Sequence, residues 1–147
     1  MKAVIQRVNY ARVIIDEKII SQIENGLLVF VGIGKNDSEK DLNYIVNKTV
    51  GLRIFPDGKK ESTLSVKDIN GKILVVSQFT LYGDIKKGKR PSFSDAMESN
   101  RARELFDRLI ALLRQTEIPI ECGIFQASMK IQLENDGPYT IILESES

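Results

Sequence analysis

Short β-branched runs open the chain, at Lys2 to Val8, Ala11 to Ile15, Lys18 to Ile23 and Gly26 to Gly34, punctuated by Asn9-Tyr10, Asp16-Glu17 and Glu24-Asn25-Gly26. This pattern predicts a meander of adjacent antiparallel strands. Ser38 then precedes Asp41 at capping-box spacing, and Leu42, Ile45, Val46 and Thr49 or Val50 recur at helical intervals up to Gly51, so one helix should pack on the sheet. Phe55-Pro56-Asp57-Gly58 is turn chemistry, and Ser65 to Gly71 leads into the apolar strand Lys72 to Ser77. A second helix from Ser99 or Asn100 carries Ala102, Leu105, Phe106, Leu109, Ile110, Leu112 and Leu113 on one broad face, with Arg101, Glu104, Asp107, Arg108 and Arg114 outside. Pro119 stops it. The rest returns to strands through Ile120, Phe125, Met129 to Leu133 and Tyr139 to Leu143. Met129, Ile131 and Leu133 share one face there, opposite Ser128, Lys130 and Gln132. No repeat or linker interrupts the 147 residues. The expected fold is one α+β domain over 1–147 with a mostly antiparallel sheet, curved towards a barrel, and two main helices.

Composition narrows the chemistry. The 42% hydrophobic and 28% charged residues suit a soluble globular domain, and the longest apolar stretch, Leu27 to Ile33, is far short of a membrane span. The strand-like start is unlike a signal peptide, which makes the cytoplasm the default location. A single cysteine, Cys122, excludes an internal disulfide and a cysteine-rich zinc site and reads as a small buried or partly buried hydrophobe. The chain has no histidine, which removes the usual general base near neutral pH, every Ser-His-Asp or Cys-His arrangement, and the commonest transition-metal ligand. No acidic spacing resembles a calcium loop, so no metal and no cofactor is expected. The net charge of +1 argues against wholesale nucleic-acid binding, DNA included. Locally, Lys86, Lys87, Lys89 and Arg90 form a basic cluster around Gly88, which is either a solvated loop or a small footprint for phosphates.

Two segments carry candidate chemistry. Ser77-Gln78-Phe79-Thr80-Leu81-Tyr82-Gly83-Asp84 gathers polar residues at the end of a buried strand; taken alone it reads as a terminus whose hydroxyls cap a turn. A nucleophilic Thr80 would need a lysine or carboxylate as its base. Asn135-Asp136-Gly137-Pro138-Tyr139-Thr140 lies between two strand-like runs, which predicts a strand, a tight turn and a strand. Pro138 has no N–H, and a cis Gly137-Pro138 bond costs only about 0.5–1 kcal/mol, although an ordinary trans turn is the commoner outcome.

Together with Arg90-Pro91-Ser92-Phe93 and the opening Met1-Lys2-Ala3-Val4-Ile5-Gln6-Arg7-Val8, these two segments resemble the D-aminoacyl-tRNA deacylase family over the whole chain. One departure is Gln126 in Phe125-Gln126-Ala127, where the family usually has glycine. The resemblance implies a homodimer with active sites at the subunit interface, where a cis Gly137-Pro138 turn of one subunit enters the partner's pocket and excludes L side chains with backbone. It implies that Arg7 holds that turn. Ser77, Gln78, Phe79 and Thr80 would form the pocket for the terminal adenosine and the ester, with backbone N–H groups near Phe79 and Thr80 stabilising an oxyanion. Phe125 and Met129 would wall the adenine, and Lys86, Lys87, Lys89 and Arg90 would meet acceptor-stem phosphates. The substrates would be D-aminoacyl-tRNA and, since only L side chains are excluded, glycyl-tRNA, with the tRNA 2′-hydroxyl assisting water. Without the resemblance, Arg7 reads as a surface salt bridge, and Phe125 and Met129 as core. Two rival readings remain: a hydrolase of another ester with Thr80 as nucleophile, and a non-catalytic tRNA-binding module stacking bases on Tyr82 or Phe93.

Overall fold

A computed structural model describes residues 1–60 and 62–146. Its elements run β1 (Lys2–Ile15), β2 (Lys18–Ile23), β3 (Gly26–Gly32), α1 (Glu39–Gly51), β4 (Lys72–Ser77), a 3₁₀ turn (Phe79–Tyr82), α2 (Ser99–Arg114), β5 (Ile120–Cys122) and β6 (Lys130–Glu144). β1 pairs antiparallel with β2, β3 and β6, whereas β3–β4 and β4–β5 are parallel. The sheet is therefore mixed, with antiparallel pairings in the majority.

Four local readings of the sequence change. Asn9-Tyr10 does not break the first strand, because β1 runs unbroken from Lys2 to Ile15. β2 and β3 are not neighbours in a meander: Ala11 to Ile15 of β1 pair with β2 and Lys2 to Val8 pair with β3, so β2 and β3 lie end to end along the same edge of β1. The segment around Gly137-Pro138 is not a hairpin turn. β6 passes straight through it and follows β1 along its length, with register shifts opposite Gln6 to Tyr10 that absorb the irregular residues. Phe125 sits in a turn rather than a strand.

The two inner strands are buried on both faces, which their unbroken apolar runs require. Leu27, Val29, Val31, Ile73 and Val75 face the helices, where Leu42, Ile45 and Val46 of α1 and Phe106, Leu109 and Leu113 of α2 complete the main core. Both helical stripes are thus buried as their spacing predicts. Leu28, Leu74 and Val76 face the other way and meet Val8, Val13 and Ile23, with Met129, Ile131 and Leu133 of β6 packed alongside. This second cluster exists because the sheet curls; Ser21 Oγ on β2 reaches the Cys122 carbonyl on β5 at 2.6 Å, bringing the two ends of the strand order together. Gly26 permits the β3–β4 contact, since a Cβ there would lie 1.9 Å from the Lys72 carbonyl oxygen.

Both ends of the described chain are tied into one buried polar knot. The Met1 ammonium donates to Asp37 Oδ1 at 2.7 Å and to Ser145 Oγ at 2.9 Å, and Ser145 Oγ donates to Asp41 Oδ1 at 2.6 Å. Asp37 Oδ2 also accepts from the Gly34 N–H, and Asp41 closes its capping box by accepting from the Ser38 N–H at 2.9 Å. Burial pushes the Asp41 carboxyl up, but the bonds from Ser145 and Ser38 and the nearby Met1 ammonium outweigh it and hold Asp41 below the ordinary aspartate value of 3.8. A depressed carboxylate stabilises the fold fully above its unfolded pKa and loses that contribution as pH falls through the lower folded value. Ser145→Ala should therefore cost stability near neutral pH, and the gap to the parent in urea-unfolding free energy should narrow below about pH 4. A gap that is constant from pH 7 to pH 3 would contradict this assignment.

Candidate active site

The parallel strands β3 and β4 end side by side, and a cleft of about 530 Å³ opens at their carboxyl ends. Val31 and Ile33 form part of its floor, with Val76, Ser77, Gln78 and Phe79 beside them. The opposite wall is Phe125, Gln126, Ala127 and Met129, and Met97, Ser99 and Ala102 close the cleft at the start of α2. Ser77, Gln78, Phe79, Phe125 and Met129 thus gather in one place although they come from distant parts of the sequence. The contribution of α2 was not read from the sequence, where its apolar stripe looked like core alone. The clue was Ala102, a small residue on that stripe, which leaves room where Leu or Phe would fill it. Gly123 lies under the far wall: a Cβ there would come within 2.6 Å of the Met129 sulfur and displace that flexible side chain.

The chain reverses after Ser77 in a single 3₁₀ turn, anchored by the Gln78 N–H on the Val31 carbonyl at 2.7 Å. The backbone N–H groups at the start of a helical turn have no partner within it. Those of Phe79 and Thr80 donate to no acceptor among the described residues. The Phe79 side chain is 58% exposed and meets Phe93 edge to face at 5.1 Å between centroids. Thr80 Oγ1 accepts from the Gln78 amide; among the described residues no carboxylate or lysine hydrogen-bonds to it. An amide donor cannot take a proton from the hydroxyl, so the base that a threonine nucleophile needs is missing from this arrangement. Tyr82 donates to Asp37 Oδ2 at 3.5 Å, linking the turn to the Met1 knot; burial and the Asp37 carboxylate push its phenol well above the usual range.

Arg7 and the Gly137-Pro138 segment form a separate constellation, and neither Gly137 nor Pro138 lines the cleft of its own chain. Arg7 is only 3% exposed, far from the surface salt bridge that its residue type suggests. Its Nη1 donates to the Ile54 carbonyl at 2.6 Å, Nε to the Asp136 carbonyl at 3.2 Å and Nη2 to the Gly137 carbonyl at 3.1 Å. Nε also pairs with Asp136 Oδ2 at 3.1 Å, and the guanidinium lies 4.7 Å from the Tyr139 ring centroid. The Gly137-Pro138 peptide bond is cis. Gly137 is exposed, a Cβ on it would meet nothing within 4 Å, and its φ is not positive. Neither packing nor backbone conformation within the chain demands glycine there.

Lys86, Lys87, Lys89 and Arg90 are all exposed on a small hairpin pinned by the Asp84↔Ser92 bridge, with Gly88 in the left-handed region at φ +78°. Gln126 also has positive φ, +65°, a conformation that glycine adopts freely and glutamine does not. No group of three or more His, Cys, Asp or Glu side chains among the described residues is placed to hold a metal ion. No helix among them is long and apolar enough to cross a membrane.

The curled mixed sheet thus carries a cleft at its parallel strand ends whose lining side chains bear no charge, next to two backbone N–H groups that have no acceptor among the described residues. The chain belongs to the D-Tyr-tRNA(Tyr) deacylase family, whose sequence model matches residues 4–144. It is 52% identical over 145 residues to the D-aminoacyl-tRNA deacylase of Thermotoga petrophila, covering 99% of this chain and 97% of that one. The D-aminoacyl-tRNA deacylase of Carboxydothermus hydrogenoformans is 48% identical over 144 residues, with 98% and 99% covered. A solved structure named c-Myc DNA Unwinding Element Binding Protein has a TM-score of 0.93 at 40% identity over the full length of both chains. A probable eukaryotic D-amino acid tRNA deacylase shares the fold, with a TM-score of 0.83 over 97% of each chain at 16% identity.

The Arg7 contacts are open to a direct stability test. Arg7→Lys leaves one compact ammonium in place of a planar fork that serves three carbonyls, so urea unfolding should show a loss of about 2 kcal/mol. A loss under about 0.5 kcal/mol would mean that the fork is not what holds this segment.

Proposed function

We propose that this protein hydrolyses the ester bond of D-aminoacyl-tRNA, releasing a D-amino acid and tRNA while sparing L-aminoacyl-tRNA. The observation that carries the reading is the pairing of a neutral cleft, lined by residues suited to a nucleoside and an ester, with an exposed glycine whose carbonyl Arg7 holds at 3.1 Å. The adenine of the terminal nucleotide lies against Phe125 and Met129, and the ester carbonyl lies at the turn. There the N–H groups of Phe79 and Thr80 stabilise the charge that develops on oxygen when water attacks. An aminoacyl ester is already activated, and the adjacent ribose 2′-hydroxyl assists the water, so the chemistry proceeds without an imidazole. The Thr80 hydroxyl, tied to Gln78, positions and does not attack.

Selection against L substrates is made by backbone. The carbonyls of Gly137 and Pro138, in a segment held by Arg7, face the substrate's α-carbon and amino group and leave no space for a side chain in the L position. Glycine has no side chain to exclude, so glycine mischarged on alanine tRNA is a second substrate. Because Gly137 and Pro138 do not line the cleft of their own chain, a second copy supplies them, and the active species is a homodimer with two sites at its interface. The hairpin with Lys86, Lys87, Lys89 and Arg90 meets acceptor-stem phosphates, an interaction that weakens with salt. No cofactor enters the scheme, and a tRNA-editing role places the protein in the cytoplasm.

Gly137→Ala is the sharpest test, since the added methyl meets nothing in the chain itself. Its urea-unfolding curve should match the parent within about 0.5 kcal/mol, while D-tyrosyl-tRNA deacylation falls at least about a hundredfold. Retained activity would remove Gly137 from the site. Thr80→Ala should keep deacylation within roughly tenfold of the parent, whereas a loss of about 10⁴-fold or a trapped acyl-enzyme would favour a threonine nucleophile instead.

A further inference from the structure

We propose that Arg103 receives the phosphate on the 5′ side of the substrate's terminal adenosine, an assignment that rests on the reading of the cleft given above. Arg103 stands in the second turn of α2, on the exposed face, beside the cleft wall rather than in it. Its guanidinium carbon lies 5.0 Å from the centroid of the Phe125 ring, and its Nη2 donates to Gln126 Oε1 at 3.3 Å. Phe125 and Gln126 are two consecutive residues of the wall assigned to the adenine, and Gln126 is the one held in the left-handed region. The guanidinium is thus fixed at the rim of the nucleoside pocket by contacts to both of them.

Charge makes the rim position informative. None of the side chains lining the cleft is ionisable as an acid or base near neutral pH, so the cleft itself offers no positive charge to a phosphate. The N-terminus of α2 does not supply that charge either, because the Glu98 carboxylate already accepts from the Asn100 and Arg101 N–H groups. Arg103 has no carboxylate partner among the described residues, in contrast to Arg108, which is paired with Glu39 on α1. One of its five donors is used on Gln126, and the remaining donors of a planar fork match two oxygens of a phosphate. A nucleoside stacked on Phe125 carries its 5′-phosphodiester a few bonds from the base, whichever tRNA it belongs to. Contact at that point is therefore independent of tRNA sequence, as an enzyme acting on many tRNAs requires.

The test compares two small substrates that differ by one phosphate: D-tyrosine esterified to the 3′-hydroxyl of adenosine, and the same ester of adenosine 5′-monophosphate. The parent protein should show a kcat/KM roughly three- to tenfold higher for the phosphorylated ester, carried in KM and diminished by salt. In Arg103→Met, whose unbranched stem still covers Phe125, that ratio should fall to about one, and Arg103→Lys should restore part of it. A uniform drop on both esters with the ratio preserved would make Arg103 a prop for the Phe125 wall and overturn the proposal. If the parent hydrolyses both esters equally, the phosphate contact alone fails. If it hydrolyses neither, the reading of the cleft fails and takes this inference with it.

Discussion

A guanidinium with almost no access to water is the constraint on which the geometry of the Gly137-Pro138 segment depends. Arg7 sits in the long strand β1 and spends its donors on three backbone carbonyls, one in the segment after α1 and two in β6. Burying a cation is costly unless it is paired and hydrogen-bonded. Here Asp136 offsets the charge and the carbonyls satisfy the fork, so the arrangement is stable only when those carbonyls stand where the fork reaches them. Orientation of the Asp136 and Gly137 backbone is thus fixed by the core and presented at the surface. In the function proposed above, a selector made of backbone would read configuration at the α-carbon whatever the side chain is.

The cleft rests on a different feature, the parallel pair β3–β4. Parallel strands end at the same edge, and their ends leave a cleft that the start of α2 and the turn after β5 enclose. The 3₁₀ turn after Ser77 leaves the Phe79 and Thr80 N–H groups without acceptors among the described residues, and the proposed mechanism uses them as the oxyanion donors that a chain without histidine can still provide. Tyr82 and Asp37 tie this turn to the knot around Met1 and Ser145, so the geometry of the edge is coupled to both ends of the described chain.

Much of this was legible from residue pattern. The faces of α1 and α2 followed from 3.6-residue spacing, and the capping box at Ser38 and Asp41 formed as its spacing predicts, because these are local relations. What failed was long-range or hidden by punctuation. Asn9-Tyr10 and Asp136-Gly137-Pro138 look like breaks, yet each lies inside a continuous strand, because β1 and β6 shift register opposite one another and carry the irregular residues together. The end-to-end placement of β2 and β3 along β1 has no signature in either strand alone. At the site, Ser77 to Thr80 and Gly137-Pro138 were found through family likeness, whereas the burial of Arg7 and the roles of Ala102 and Gly123 depend on contacts that cross the whole chain. Arg103 was not singled out in the sequence, since nothing local tells a solvated arginine from one placed over an aromatic ring.

Backbone geometry, without metal or imidazole, is the proposed source of chiral editing by this protein. It is tested most directly by incubating the purified protein, with a chelator present, with D-tyrosyl-tRNA, L-tyrosyl-tRNA and glycyl-tRNA in parallel. The D and glycyl esters should be lost rapidly while the L ester decays no faster than in buffer. Hydrolysis of the L ester at a comparable rate would contradict backbone selection, and survival of all three would contradict the assignment of an esterase site to the cleft.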